Sequence, residues 1–140
     1  KELGFAPRWL ATTMLNDQAM VDKIGAGPAD GTVIAAWDYD PRSTDPRLKS
    51  FVAKFKQRTN GLDPDVFAAN SYDAVYLIHK AATMKGVSPA QIRDGLYAIR
   101  KFPGVTGETT FDRNGDVEKP LRIKTIVRGK IQSLTAKPNP

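Results

Sequence analysis

The sequence predicts an α/β fold divided between two lobes, on three observations. A strand-helix-strand unit opens the chain, a helix-rich block fills its middle, and strands close it. That uneven order fits pieces of two lobes joined by crossings better than one regularly wound domain. Composition agrees: 41% hydrophobic and 26% charged residues over 140 positions are globular values.

Each element rests on a local pattern. Gly4 is a natural helix stop, so "KELGF" reads as a helix end. "RWLAT" (8–12) is short, apolar and β-compatible, hence a strand. A short helix over 17–24 follows, with Asn16 as its cap and Ala19, Met20, Val21 and Ile24 partly buried. "GAGPADG" (25–31) reads as a loop whose glycines miss the dinucleotide spacing. "TVIAAWDY" (32–39) is a strand, and the prolines of "DPRSTDP" end it.

Leu48, Phe51, Val52 and Phe55 then fall at i, i+3, i+4 and i+7, one apolar stripe of a helix over 47–59. Asp45 caps it and Pro46 starts it. A second helix, about 66 to 85, is apolar around its whole circumference and is predicted to be largely buried. Ser88 and Pro89 open a third, "SPAQIRDGLYAIRK". Strands are expected around 108–111, 121–128 and 130–134.

Several function classes lose their residues. There is no cysteine, so no disulfide, thiolate site or cysteine nucleophile. One histidine, His79, rules out a multi-histidine metal site and leaves a single conventional neutral-pH acid/base group. His79 reads as a core-edge histidine, and no serine stands in a Gly-x-Ser-x-Gly elbow. These absences weigh against an enzyme. The net charge of +6 collects in "RLKSFVAKFKQR" (47–58) and between Lys119 and Lys137. No nucleic-acid motif accompanies it, so it reads as solvated surface. No apolar run approaches a membrane span, and "KELGF" lacks a secretory-signal pattern.

"TGETTFDRNGDVEKP" (106–120) imitates a calcium loop through Asp112, Asn114, Asp116 and Glu118. Counting from Asp112, the sixth position is Val117 and the twelfth Ile123, where calcium needs glycine and glutamate. A turn through Asn114-Gly115 is expected, with no metal and no cofactor. Asp38 and Asp40, two apart beside prolines, read as turn or capping groups.

The middle and end of the chain carry a resemblance. "LKSFVAKFKQRTNGLDPDVFAANSYDAVYLIHKAATMKG" has a Phe-containing helix ending near glycine, then an alanine-rich lead into Tyr72-Asp73-Ala74-Val75. "GVTGETTFDRNGD" (104–116) shows a Gly-x-x-Gly-x-x-x-Phe-Asp-x-x-Gly-Asp pattern, and "IVRGK" a closing strand. Together these resemble the periplasmic solute-binding proteins for branched-chain amino acids and related ligands.

The resemblance implies a periplasmic-binding-protein type I-like fold, with parts of two three-layer lobes joined by crossover strands. By it, residues 1–36 belong to the second lobe, 37–45 to a crossover, 46–116 to the first lobe, and 117–140 to a crossover and the closing strands of the second. It implies a non-enzymatic, periplasmic component of an ABC importer that binds a small ligand in an interlobe cleft and meets a membrane permease. The same fold also serves ligand-sensing domains of receptors or regulators. Members of the family are longer, so the fold is expected to be incomplete without an N-terminal half. Dimerisation, segment exchange or a missing N-terminal chain is expected to cover the exposed apolar faces.

Site residues follow by position. Thr12, Thr13 and Met14 fall where the family lines its cleft, with Thr13 at the glutamate that meets an amino-acid ammonium. Phe67 corresponds to an aromatic wall. A neutral threonine gives a buried ammonium no counter-charge, which favours an aromatic or keto acid over a branched-chain amino acid. Asp17 and Asp38 are the acids near enough in sequence to meet an amine instead. Met14 and Phe67 also have an ordinary core reading, and Trp37, at the crossing, reads as hinge packing ahead of ligand contact.

Overall fold

The computed structural model describes residues 7–37 and 39–134, so the helix end expected in "KELGF" lies outside the described residues. In chain order it contains β1 (Leu10–Ala11), a 3₁₀ turn (Thr13–Leu15), α1 (Gln18–Ile24), α2 (Ala26–Ala29), β2 (Val33–Trp37) and α3 (Pro46–Arg58). Then come α4 (Val66–Lys85), α5 (Pro89–Ala98), β3 (Phe102–Gly104), β4 (Gly107–Phe111), β5 (Val117–Glu118), β6 (Leu121–Val127) and β7 (Lys130–Ser133). Two compact units emerge: a sheet unit of Lys1–Trp37 with Leu121–Pro140, and a helical unit of Asp38–Pro120.

In the sheet unit the strand order is β1-β2-β6-β7. β1 runs parallel to β2, whereas β2 with β6 and β6 with β7 are antiparallel. Val21, Ala29, Ile34, Ala36 and Ile126 form its buried core, against which Ala11, Leu15 and Ile131 pack. Alternate residues of β2 are buried, as period-two geometry requires of a sheet with one covered face.

Three local expectations change here. The first strand is only two residues long, because the chain turns into the 3₁₀ turn at once. Asp17, not Asn16, caps α1, its carboxylate accepting from the Ala19 N–H at 2.8 Å. Asn16 is occupied elsewhere, accepting from Lys124 Nζ at 3.0 Å. The loop at 25–31 holds the single turn α2, whose Ala29 is buried in the core.

In the helical unit, Asp45 and Pro46 begin α3 as their residue types dictate, with Asp45 accepting from the Arg47 N–H at 2.8 Å. Ser88 and Gln91 close a reciprocal capping box at the start of α5. α4 and α5 approach closely at Gly95, where a Cβ would stand 2.6 Å from the Ala81 carbonyl oxygen. Leu77, Ala81 and Ile99 are buried between them, with Phe102 and Phe111 packed alongside. α5 stops at Ala98, short of the expected run, because Ile99 takes extended backbone and is buried in that core.

The expectation that α4 is largely buried is overturned. Its buried face is Val66, Ala69, Asp73, Leu77 and Ala81, while Val75 is 66% exposed and Ile78 49% exposed. Phe67, Ala74, Val75, Ile78 and Ala82 recur at helical spacing, so α4 carries a second, uncovered apolar stripe. His79 is exposed as well, not at a core edge. β3 and β5 were not expected: with β4 they form a small antiparallel sheet in the order β3-β4-β5.

Candidate functional site

β1 and β2 are adjacent and parallel, in the register Leu10↔Val33 and Ala11↔Ile34, so both deliver their carboxyl ends to one edge of the sheet. In open α/β sheets that edge is where small ligands are received. Thr12, Thr13 and Met14 follow β1 directly, and Trp37 is the last residue of β2. The fold therefore gathers four of the five candidate positions at one sheet edge. Thr12 is exposed and makes no capping hydrogen bond with its side chain. Thr13 is half-buried, Met14 is 63% exposed, and Leu15 beyond them packs into the core and anchors the turn.

Trp37 is half-buried and pairs with Leu121 across β2 and β6. Asp17, the nearer acid, is committed to the α1 cap, and Asp38 lies outside the described residues. The sequence did not point to Lys124, which comes from β6 to within 3.0 Å of the Asn16 amide oxygen just past the 3₁₀ turn.

Phe67 stands in the helical unit. Val66 turns inward and is buried while Phe67, one residue on, is 48% exposed. Asp65 fixes that first turn, its carboxylate accepting from the Ala68 N–H at 2.7 Å. Two recesses among the described residues are lined by other residues than the candidates. An apolar one of about 320 Å³ lies between Leu10, Leu15, Ile24 and Pro28 in the sheet unit. A more polar one lies beside Asp40, Arg47 and Glu108 in the helical unit.

The stretch at Asp112 is a turn in hydrogen bonds as well as in sequence. Asp112 Oδ1 accepts from the Asn114 and Asp116 N–H groups, each at 2.8 Å, and Gly115 takes φ +89°. Among the described residues no group of His, Cys, Asp or Glu is arranged to hold a metal ion. The same holds for spans: no helix among them is long and apolar enough to cross a membrane.

Sequence reading took Tyr72-Asp73-Ala74-Val75 only as a signature and missed what Asp73 does. Asp73 is 2% exposed and accepts from the Val105 N–H at 2.8 Å, the Thr106 N–H at 2.9 Å and the Thr106 hydroxyl at 2.6 Å. The signal was present: Ala69, Asp73, Leu77 and Ala81 recur every fourth residue, placing an acid on a buried helical face. A carboxylate in that position requires donors, and the glycine-bounded turn at 104–107 supplies them.

A family model for periplasmic binding proteins matches residues 1–130, and the chain belongs to that family. Among solved structures, a Desulfitobacterium hafniense ABC transporter substrate-binding protein in complex with Leu is 26% identical, with a TM-score of 0.72. The match covers 95% of this chain and 37% of that one. The branched-chain amino acid transporter substrate-binding protein LivJ of Streptococcus pneumoniae, in complex with isoleucine, is 25% identical with a TM-score of 0.72, covering 98% of this chain and 39% of that one. A solute-binding protein of R. palustris in complex with benzoate shares the fold at 20% identity and TM-score 0.62, covering 81% of this chain and 32% of that one. This chain thus spans under two-fifths of the length of these relatives. No curated protein matches the sequence significantly.

Proposed function

We propose that this chain is part of the solute-binding component of an ABC importer, that it works in the periplasm beside a membrane permease, and that it takes a small carboxylate-bearing ligand. The observation that carries the reading is the parallel sheet edge where Thr12, Thr13, Met14 and Trp37 converge, in a chain whose family is that of periplasmic binding proteins. Relatives crystallised with leucine and isoleucine support the substrate class.

Within that class we favour an aromatic or keto acid. Thr13 brings no negative charge, and Asp17 is held by the α1 cap. A buried ligand ammonium without a counter-charge costs several kcal/mol, roughly, so an α-amine is disfavoured at this edge. The fold likeness to a benzoate complex is consistent with this choice. Phe67, exposed in the first turn of α4, is proposed as an aromatic ligand contact.

The lobe assignment goes with this reading: 1–36 and the closing strands to one lobe, 46–116 to the other, with crossovers at 37–45 and at the start of 117–140. So does the covering of the α4 stripe by another chain, either a second copy or the remainder of the fold. Titration calorimetry on the gene's full product tests the ligand class. Heat with benzoate or phenylpyruvate, weakened in Thr13→Glu, supports it; heat with isoleucine alone refutes it.

A further inference from the structure

We propose that Asp73, Thr106 and Lys119 form a latch that ties the segment leaving the helical unit to the middle of α4. Two grips in series make it, and both lie within the helical unit.

The first grip is the carboxylate of Asp73 on the turn at Val105 and Thr106, through the three hydrogen bonds already described. The approach is close enough that only glycine fits at Gly104, where a Cβ would collide with the Asp73 carboxylate. The second grip is Lys119, whose ammonium donates to the Thr106 hydroxyl and, at 2.9 Å, to Asn70 Oδ1. A threonine hydroxyl has one proton, and Thr106 gives it to Asp73, so it meets Lys119 with a lone pair. Lys119 and Asp73 are thereby joined through a single fully buried hydroxyl.

Two further contacts show what the latch holds. Pro120 lies over the turn, its Cγ 3.9 Å from where a Cβ of Gly107 would stand. The Asn70 Nδ2 is buried without a hydrogen-bond partner, so the amide keeps its oxygen toward Lys119 although its nitrogen goes unpaired. Lys119 comes directly after β5 and two residues before β6 begins with Leu121. The latch therefore sets where the chain departs from the helical unit, and Thr106 is the coupling between the departing segment and α4.

Amide-resolved hydrogen exchange tests this on the 140-residue chain and four variants: Lys119→Met, Thr106→Val, Thr106→Ser and the Lys119→Met/Thr106→Val pair. The Val105 and Thr106 amides report on the latch, and the Ile126 amide, bonded to the Thr32 carbonyl at 3.1 Å, reports on the sheet unit. Lys119→Met is expected to speed exchange at 105–106 about tenfold, with Ile126 unchanged. On the Thr106→Val background the same substitution is expected to add about twofold or less, and Thr106→Ser to behave as the parent. Equal acceleration by Lys119→Met on both backgrounds overturns the latch. So does unchanged exchange at 105–106, or acceleration that extends equally to Ile126.

Discussion

Lys119 holds its proton less tightly than an ordinary lysine, because burial disfavours its charge more than the Asp73 carboxylate restores it. From Lys119's lowered pKa up to the ordinary value of 10.5, the unfolded chain binds more protons than the folded one. Stability from this group therefore rises with pH across that window and falls as pH drops back through it. Tyr72 acts in the opposite sense: its hydrogen bond with Tyr76, then burial, push its pKa up to about 12. Its contribution is present below pH 10 and is lost as pH rises toward 12. The Lys119 effect is isolated by comparison with Lys119→Met. Urea midpoints at pH 7 and pH 10 should show the parent gaining on the variant at the higher pH, and a constant gap contradicts the assignment. At the capping box, Ser88→Ala should cost about 1 kcal/mol in the same assay, because the Gln91 N–H loses its acceptor.

Residue chemistry that acts locally was legible in the sequence, and chemistry that acts at a distance was not. Asp45, Pro46, Ser88 and the Asn114-Gly115 turn state their roles within four residues, and the structure uses them so. Asn16 reads as the cap of α1 in sequence, but β6 brings Lys124 to its amide, a contact 108 positions away, and Asp17 caps instead. Asp73 needed the turn at 105–106, more than thirty residues on, before its burial made sense.

At the scale of elements, α3, α4 and β6 were readable because long periodic stretches average over local ambiguity. β3 and β5 were not, since three-residue and two-residue strands carry no period and exist only through pairing with β4. α4 misled for a different reason. An apolar circumference announces burial but not which faces this chain covers, and the stripe through Val75 and Ile78 stays open here. The α4–α5 contact gives a sharp test. In an exposed helix Gly95→Ala would stabilise, by about 1 kcal/mol. Here the added methyl meets the Ala81 backbone, so a loss of about 1–3 kcal/mol is expected in thermal or denaturant unfolding. A neutral or stabilising result would mean that α4 and α5 separate more readily than their packing suggests.

For the whole molecule, the fold class followed from element order, and the family match bears it out. The chain spans less than two-fifths of the length of its solved relatives, and it exposes apolar surface on α4 and at Leu10. Alone at micromolar concentration, the 140-residue chain should self-associate through the α4 stripe. Light scattering should give a mass above 15.4 kDa that Val75→Lys/Ile78→Lys returns to the monomer. A parent that is already monomeric contradicts the pairing. The ligand class is the central claim, and thermal shift on the gene's full product tests it most directly. At a hundredfold excess over Kd, a bound ligand adds about 2.7 kcal/mol, enough to raise Tm by a few degrees. Benzoate or phenylpyruvate is expected to produce that rise while leucine and isoleucine do not; a rise with leucine or isoleucine and none with the aromatic acids would contradict the account.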